Sequence, residues 1–375
     1  MTSNSDVISL VQGRVSEVST DVNTIASVYE ITTPCTVWSN EFCDPLLIAT
    51  RYFTLYGTYL AFAIGIPGNA LTCIILIKMK PFNSSMIWLI VLTVVDLINL
   101  LVRFIVGRVV ASVSGPFEDW SCRLFYITAE TCNFSSNLLL VGLTCERFIA
   151  THFPLKMNQW CTVQRSILAV AICLTVCLGQ SMYVTEVYRA NGLHQCVLRE
   201  KYQNTWGVLY EDSFQTTVFK LLPIALLVLM NCLIARRLCA TKAWQNKLSH
   251  GQSQSKSRQQ RQIYQMLMAS SICFILCIMP GIIYQYCHLL IERDDNGIRA
   301  RLIMMNTFAV FEVYNSAANF VVYSIAAQKF RSEILHLLTC KGHTVRSSIW
   351  HQRPLRLKKH LVTSAQPKIS VDLLD

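Results

Sequence analysis

A chain of 375 residues that is 53% apolar and only 15% charged, with a positive mean hydropathy, holds more greasy surface than one soluble core could hide. Its net charge of +11 is concentrated in short stretches between apolar runs, which points to membrane topology and not to nucleic acid. No nucleophile–base pair, metal-ligand spacing or phosphate-cradling glycine loop stands outside those runs, so the common enzyme classes are excluded.

The chain opens with a polar, mildly acidic tail over 1–51 that holds Asp6, Glu17, Asp21, Glu30, Glu41 and Asp44. It lacks a basic n-region, apolar core and cleavage site in sequence, so no signal peptide is expected and the first span serves as the insertion signal. Seven runs of about 20 apolar residues follow, each sufficient for a ~30 Å hydrocarbon layer. They fall at roughly 52–77, 87–110, 122–145, 166–185, 213–235, 266–290 and 302–326. The expected fold is an all-α membrane protein, a seven-transmembrane helix bundle over 52–326. Basic residues gather after alternate crossings: Lys78 and Lys80, Lys156 and Arg165, then Arg236, Arg237, Lys242, Lys247, Lys256, Arg258 and Arg261, and again from Lys329 and Arg331 onward. The positive-inside rule then puts the N-terminus outside and the C-terminus in the cytoplasm, with the positive charge held against inner-leaflet lipids.

Most of the 16 cysteines lie inside spans, where a thiol packs as a small apolar group. Four are external in this topology: Cys35, Cys43, Cys122 and Cys196. A bridge between Cys122 and Cys196 would pin the loop after the fourth span over the bundle mouth, in an oxidising compartment that permits it. Pairing of Cys35 with Cys43 stays open. The third cytoplasmic loop, "TKAWQNKLSHGQSQSKSRQQRQ", is basic and rich in Ser and Gln. Beyond the last span, "AAQKFRSEILHLLTC" spaces Phe330, Ile334, Leu337 and Leu338 as a short amphipathic helix over 327–340 would, lying along the membrane surface. Cys340 at its end is a candidate palmitoylation site, against the alternative of an idle thiol. The tail, 341–375, is basic and carries Ser347, Ser348, Thr363, Ser364 and Ser370 as candidate phosphate acceptors.

Ionisable groups at membrane depth cost roughly 2.5 kcal/mol or more each and turn inward. That makes Asn69, Asp96, Arg103, Glu130, Ser136, Glu146, Arg147, Lys220, Glu312, Asn315, Ser316 and Asn319 the informative set. Asp96 sits mid-span in "LTVVDLINLL", and "NSAANFVVY" repeats polar groups along one helical face. If these faces meet, Asn315, Ser316 and Asn319 converge with Ser136 and Asn69 on Asp96, a hard-oxygen setting for Na⁺ or a water cluster. The alternative is interhelical polar glue. The pair Glu146–Arg147 closes the third span, where it locks to itself or releases the Arg toward a partner. Pro67, Pro223 and Pro280 interrupt spans and supply pivots.

Taken in order, these motifs resemble the rhodopsin-like (class A) G-protein-coupled receptors. They run from "GN" at Gly68-Asn69 through "LTVVDL" to the interval from Cys122 to "ERF" (Glu146, Arg147, Phe148). Pro154, Cys196, Pro223, "FILCIMP" and "NSAANFVVY" into "KFR" complete them. The resemblance covers about 52–340. The variant with Phe320 between Asn319 and Tyr323, together with Asn231, is similar to the invertebrate FMRFamide/myosuppressin-type neuropeptide receptors. The resemblance implies a plasma-membrane protein that takes an extracellular ligand and engages a heterotrimeric G protein, with arrestin and receptor kinases as further partners. It assigns Glu146, Arg147, Phe148, Asn319 and Tyr323 to activation and coupling, and Asp96, Ser136, Asn315, Ser316 and Asn319 to a sodium and water site. No cofactor is expected beyond a bound Na⁺.

Departures from the family pattern are Ile278 where a Trp is usual, Gln260 where an acidic partner of Arg147 is usual, and a fourth span without its common Trp. Ala129 and Val313 stand where aminergic receptors and opsins carry their Asp and Lys. An amine or retinal is thereby disfavoured. The outer half instead holds Arg103, Glu130, Lys220 and Glu312, with Glu211 and Asp212 at the mouth. An Arg-Phe-amide terminus would pair its guanidinium with Glu130 or Glu312 and bury its Phe among Tyr183, Tyr284 and Phe308. The bland alternative is that Arg103 and Glu312 pair with each other. Competing functions are an orphan, decoy or chemosensory-type receptor, or a transporter or channel; the last needs repeats or a continuous polar path, and no repeat is present.

Overall fold

The computed structural model describes residues 45–78, 82–106, 119–190, 196–198, 210–248, 254–287, 295–326 and 328–338. Cys35, Cys43, Cys340 and the tail hydroxyls lie outside them, as do the side chains of Cys196, Glu211, Asp212 and Gln260.

Among the described residues, seven long helical segments coincide with the seven apolar runs over most of their length. They are α1 (Pro45–Lys78), α2 (Ser84–Phe104), α3 (Asp119–His152), α4 (Val163–Ser181), α5 (Leu222–Leu248), α6 (Gln254–Cys287) and α7 (Asp295–Ala326). A wider π-helical segment, Tyr210–Leu221, leads into α5 and ends one residue before Leu222-Pro223. A separate helix, α8 (Gln328–Leu338), follows α7. The starts obey local chemistry: Asn83 accepts from the Met86 amide at 3.1 Å to cap α2, and Thr162 accepts from the Arg165 amide to cap α4. Pro67 and Pro280 lie inside α1 and α6.

One boundary needs correction. The second helix begins at Ser84, three residues before the apolar run that predicts it, because the Asn83 cap and not hydrophobicity sets the start. The bundle is helical as expected, and the chain after α4 adds a short strand pair: β1 (Tyr188–Ala190) pairs antiparallel with β2 (Cys196–Leu198), Ala190 opposite Cys196. Extended loop backbone above a bundle satisfies its polar groups by this ladder.

Among the described residues, five helices are long and apolar enough to cross a membrane by composition alone: α1, α2, α4, the fifth over Phe214–Ala240 and the sixth over Tyr264–Tyr286. The third and seventh fall short because they carry the inward polar rows. Exposed aliphatic and aromatic side chains ring the bundle, among them Tyr56, Leu168, Leu276 and Ile325, as a lipid-facing surface requires.

α3 is the central element and packs against α2, α4, α5 and the π-helical segment, while α7 lies between α1 and α6. Close approach depends on glycines. A Cβ on Gly65 would stand 2.8 Å from the Ala317 Cβ, one on Gly68 2.5 Å from the Phe320 ring, and one on Gly142 2.2 Å from the Trp88 ring. Gly65 and Gly68 therefore let α1 and α7 touch, and Gly142 gives the Trp88 indole its seat between α2 and α3.

Candidate functional site

The end of α3 bearing Cys122, here the upper end, lies some 25 residues from the lower end bearing Arg147, about 37 Å of helix. Three polar sites occur along that length.

At mid-depth, Asp96 is fully buried. Ser136 Oγ donates to its Oδ1 at 2.9 Å and Asn319 Nδ2 donates to its Oδ2 at 2.7 Å. Ser316 lies beside the same carboxylate, and its carbonyl accepts from Asn69 Nδ2 at 2.9 Å. α2 carries the acid, α3 and α7 bring polar groups to it, and α1 buttresses the α7 backbone beside it. Asn315 is buried but stands outside the hydrogen bonds to Asp96, contrary to the expected set; one step before Ser316, its side chain points along another side of α7. The sequence reading missed Asn99, whose Nδ2 donates to Ser316 Oγ and to Asn133 Oδ1, both at 3.0 Å. The signal was available, since Asn99 follows Asp96 by one turn of α2.

The upper site gathers charge. Lys220 Nζ contacts Glu312 Oε1 at 2.9 Å, with both side chains partly buried. Glu130 and Arg103 lie near enough for their charges to act on this pair and on each other. The direct partner of Glu312 is therefore Lys220 and not Arg103. Arg103 Nε instead donates to Asn99 Oδ1 at 3.0 Å, one turn along its own helix. Tyr284 and Phe308 meet with ring centroids 5.8 Å apart. Tyr183 does not join them; its hydroxyl donates to Gln215 Oε1 at 3.2 Å across the fourth and fifth segments. Among cysteines here, Cys122 is disulfide-bonded, and the backbone of Cys196 stands in β2.

At the lower end, Glu146 does not lock onto Arg147. Its Oε1 accepts from both Ser84 and Ser85 at 2.5 Å, because the capped start of α2 aims two hydroxyls at it. Arg147 makes no ion pair among the described residues, and its Nε is buried with no hydrogen-bond partner. Beside it, Cys161 follows a single helical turn, Met157–Trp160; burial and then the Glu146 charge push that thiol up from its ordinary pKa. α3 and α6 are joined by Thr151 Oγ1 and Tyr264 OH, 2.6 Å apart. Phe148 stacks on His152 at 4.2 Å. Tyr323 is buried with its hydroxyl unpartnered and packs edge-on against Phe330 of α8 at 6.2 Å. Phe320 also meets Phe330, at 6.3 Å.

Ile278, in the position of the missing Trp, is buried in an apolar cluster with Leu140, Ile224, Leu227, Phe274 and Ile282. Among the described residues, the junction of α3, α5 and α6 around it is filled by apolar side chains.

Seven membrane-length helices, polar groups turned inward and charge collected near one end define a multi-pass membrane receptor bundle. The family described as 7 transmembrane receptor (rhodopsin family) matches residues 68–323, and the chain belongs to it: it is a receptor of the plasma membrane and not an enzyme. It is similar to growth hormone secretagogue receptor type 1 of Oryctolagus cuniculus, 26% identical over 291 residues covering 74% of this chain and 78% of that one. The QRFP-like peptide receptor of Branchiostoma floridae is 23% identical over 318 residues, 78% and 79% of the two chains. The neuromedin U receptor homolog nmur-2 of Caenorhabditis elegans is 23% identical over 371 residues, 89% and 90%.

Proposed function

We propose that the chain is a neuropeptide receptor, with its N-terminus outside and its C-terminus in the cytoplasm, that binds an amidated Arg-Phe-type peptide at the upper charge cluster and activates a heterotrimeric G protein. The observation that carries this reading is the Lys220–Glu312 pair with Glu130 and Arg103 in the upper half of the bundle. Two acids and two cations there match a peptide end that brings a guanidinium and polar amide groups and leaves the Tyr284–Phe308 pair for an aromatic side chain. The printed names of the relatives, a QRFP-like peptide receptor and a neuromedin U receptor homolog, support a ligand of this class. The guanidinium would compete with Lys220 for Glu312 and take Glu130, whose charge has no equally direct partner.

At the lower end, Arg147 with Phe148 and the Thr151–Tyr264 contact forms the surface that meets the G protein, and Asn319 and Tyr323 respond to activation through their own contacts with Asp96 and Phe330 while α7 stays packed on α1. Arrestin and receptor kinases would read the same surface and the tail. The mid-depth site fits Na⁺ in its chemistry: a buried carboxylate, two hydroxyls, and Asn69 Oδ1, a buried acceptor with no hydrogen-bond partner. Phe330 and Ile334 pack toward the bundle while Leu335 is exposed, consistent with α8 lying along the inner membrane face; Cys340, two residues beyond the end of α8 in the sequence, is the candidate for acylation.

The test is a calcium reporter driven by a promiscuous G protein in cells expressing the receptor, challenged with Phe-Met-Arg-Phe-amide, related amidated peptides and small amines. Potency should fall about tenfold or more in Glu130→Gln and Glu312→Gln, as loss of a charge-assisted hydrogen bond of about 1.5–3 kcal/mol requires. Unchanged potency in both variants, or a response to amines alone, would refute the assignment.

A further inference from the structure

Asp96, Asn99 and Arg103 occupy one stripe of α2, at steps of three and four residues, and the hydrogen bonds between them run in one direction. Arg103 Nε donates to Asn99 Oδ1 and Asn99 Nδ2 donates to Ser316 Oγ, each at 3.0 Å. Ser316 lies in turn beside the Asp96 carboxylate, which Asn319 holds from the other side at 2.7 Å. A second branch leaves Asn99 for Asn133 on α3 at 3.0 Å. Asn99 is 1% exposed, so its amide is shielded from bulk water, and which way it faces is set by the partners at its two ends.

We propose that Asn99 is a positioning residue that couples the upper charge cluster to the Asp96 site and so to α7. Its carbonyl reads the place of Arg103, and its amide fixes Ser316 and Asn133. When a ligand group draws the Arg103 guanidinium toward itself, the Asn99 carbonyl loses its donor. The amide is then free to rotate, and Ser316 is released from the orientation in which its hydroxyl serves Asp96. Chains of this kind strengthen cooperatively in a low dielectric, so disturbing one end is felt at the other. The cluster around Ile278 is held by apolar side-chain contacts, which are not directional. The part of this proposal that concerns a ligand rests on the charge cluster being the peptide site; the coupling itself does not.

Arg103 and Asp96 are seven residues apart, about 10 Å along the helix, so a coupling between them that depends on Asn99 separates a relay from two independent contacts. Arg103→Gln, Asp96→Asn and the pair would be compared in the native background and in Asn99→Leu and Asn99→Asp. Each set is read as thermal midpoint of the solubilised receptor and as basal and Phe-Met-Arg-Phe-amide-stimulated reporter signal, normalised to surface expression. In the native background the joint effect on signal should depart from the product of the single effects by about threefold or more, and the midpoint shifts should be non-additive. Asn99→Asp keeps an acceptor for Arg103 but loses both N–H donors, so it should preserve surface expression and still abolish the coupling. Additive effects of Arg103→Gln and Asp96→Asn in the native background, or coupling that survives both Asn99 variants, would overturn the proposal. Intact coupling in midpoint and basal signal with no peptide response would support the relay while counting against the peptide assignment.

Discussion

The two halves of the bundle are built differently. On one side α1, α2 and α7 are stitched together. Glycines 65 and 68 bring backbones into contact with Ala317 and Phe320, Asn69 and Asn99 bond to Ser316, and Asp96 collects Asn319. On the other side α5 and α6 meet α3 through aliphatic side chains around Ile278 and touch one another sparsely. Directional bonds there, among the described residues, are scattered: Asn137 donates to the Phe219 carbonyl and Cys145 meets Met230 between α3 and the fifth segment, and Thr217–Tyr286 and Thr151–Tyr264 link α6 to its neighbours. Branched aliphatic surfaces slide at small cost, whereas a hydrogen bond that loses its partner inside a membrane costs its full desolvation. The α1–α2–α7 half is thus the directionally bonded frame, and α6, packed on α7 but meeting α3 mainly through apolar side chains, is expected to be the part that moves against it.

That contrast can be broken most severely in the frame. Gly68→Val would drive a branched side chain into the Phe320 ring, and surface expression should be lost; adding Phe320→Ala should restore part of it, since the clash is with that ring. Next in size is the charge pair that faces the frame from the fifth segment. Lys220→Glu or Glu312→Lys alone should destabilise by about 3 kcal/mol, as a partly buried charge left unpaired does, and the double swap should recover most of the thermal midpoint. A smaller effect belongs to the moving half. Tyr264→Phe removes one hydrogen bond between α3 and α6, about 1 kcal/mol, and basal reporter signal should rise by about fivefold with expression unchanged. Smallest of all, Ile278→Leu should leave stability within about 1.5 kcal/mol and potency unaltered, because a volume-conserving swap in an aliphatic cluster disturbs nothing directional.

The same division explains what could be read from the sequence. The spans were legible because length and apolarity are local properties, and Asp96 with Ser136, Ser316 and Asn319 was legible because polar groups in such spans have nowhere to turn but inward. Which inward groups meet depends on helix rotation and depth, and no spacing within one helix encodes those. Glu312 had two cations within the same half, and the sequence offered Arg103 where the structure places Lys220. Asn315 and Ser316 are neighbours in sequence, yet only the second faces Asp96. Glu146 takes hydroxyls from a helix start 62 residues earlier, a partner visible only once Asn83 has fixed where α2 begins. The strand pair after α4 was hidden for a related reason: three-residue segments carry too little pattern to be told from loop.

The most direct measurement is the separation of spin labels on the lower ends of α2 and α6, and of α1 and α7, in receptor reconstituted into lipid with and without Phe-Met-Arg-Phe-amide. Peptide should lengthen the α2–α6 distance and leave the α1–α7 distance unchanged, and in the Glu130→Gln with Glu312→Gln double variant it should alter neither distance. A peptide-driven change between α1 and α7 with α6 stationary, or an α6 displacement that persists when both acids are neutralised, would contradict this expectation.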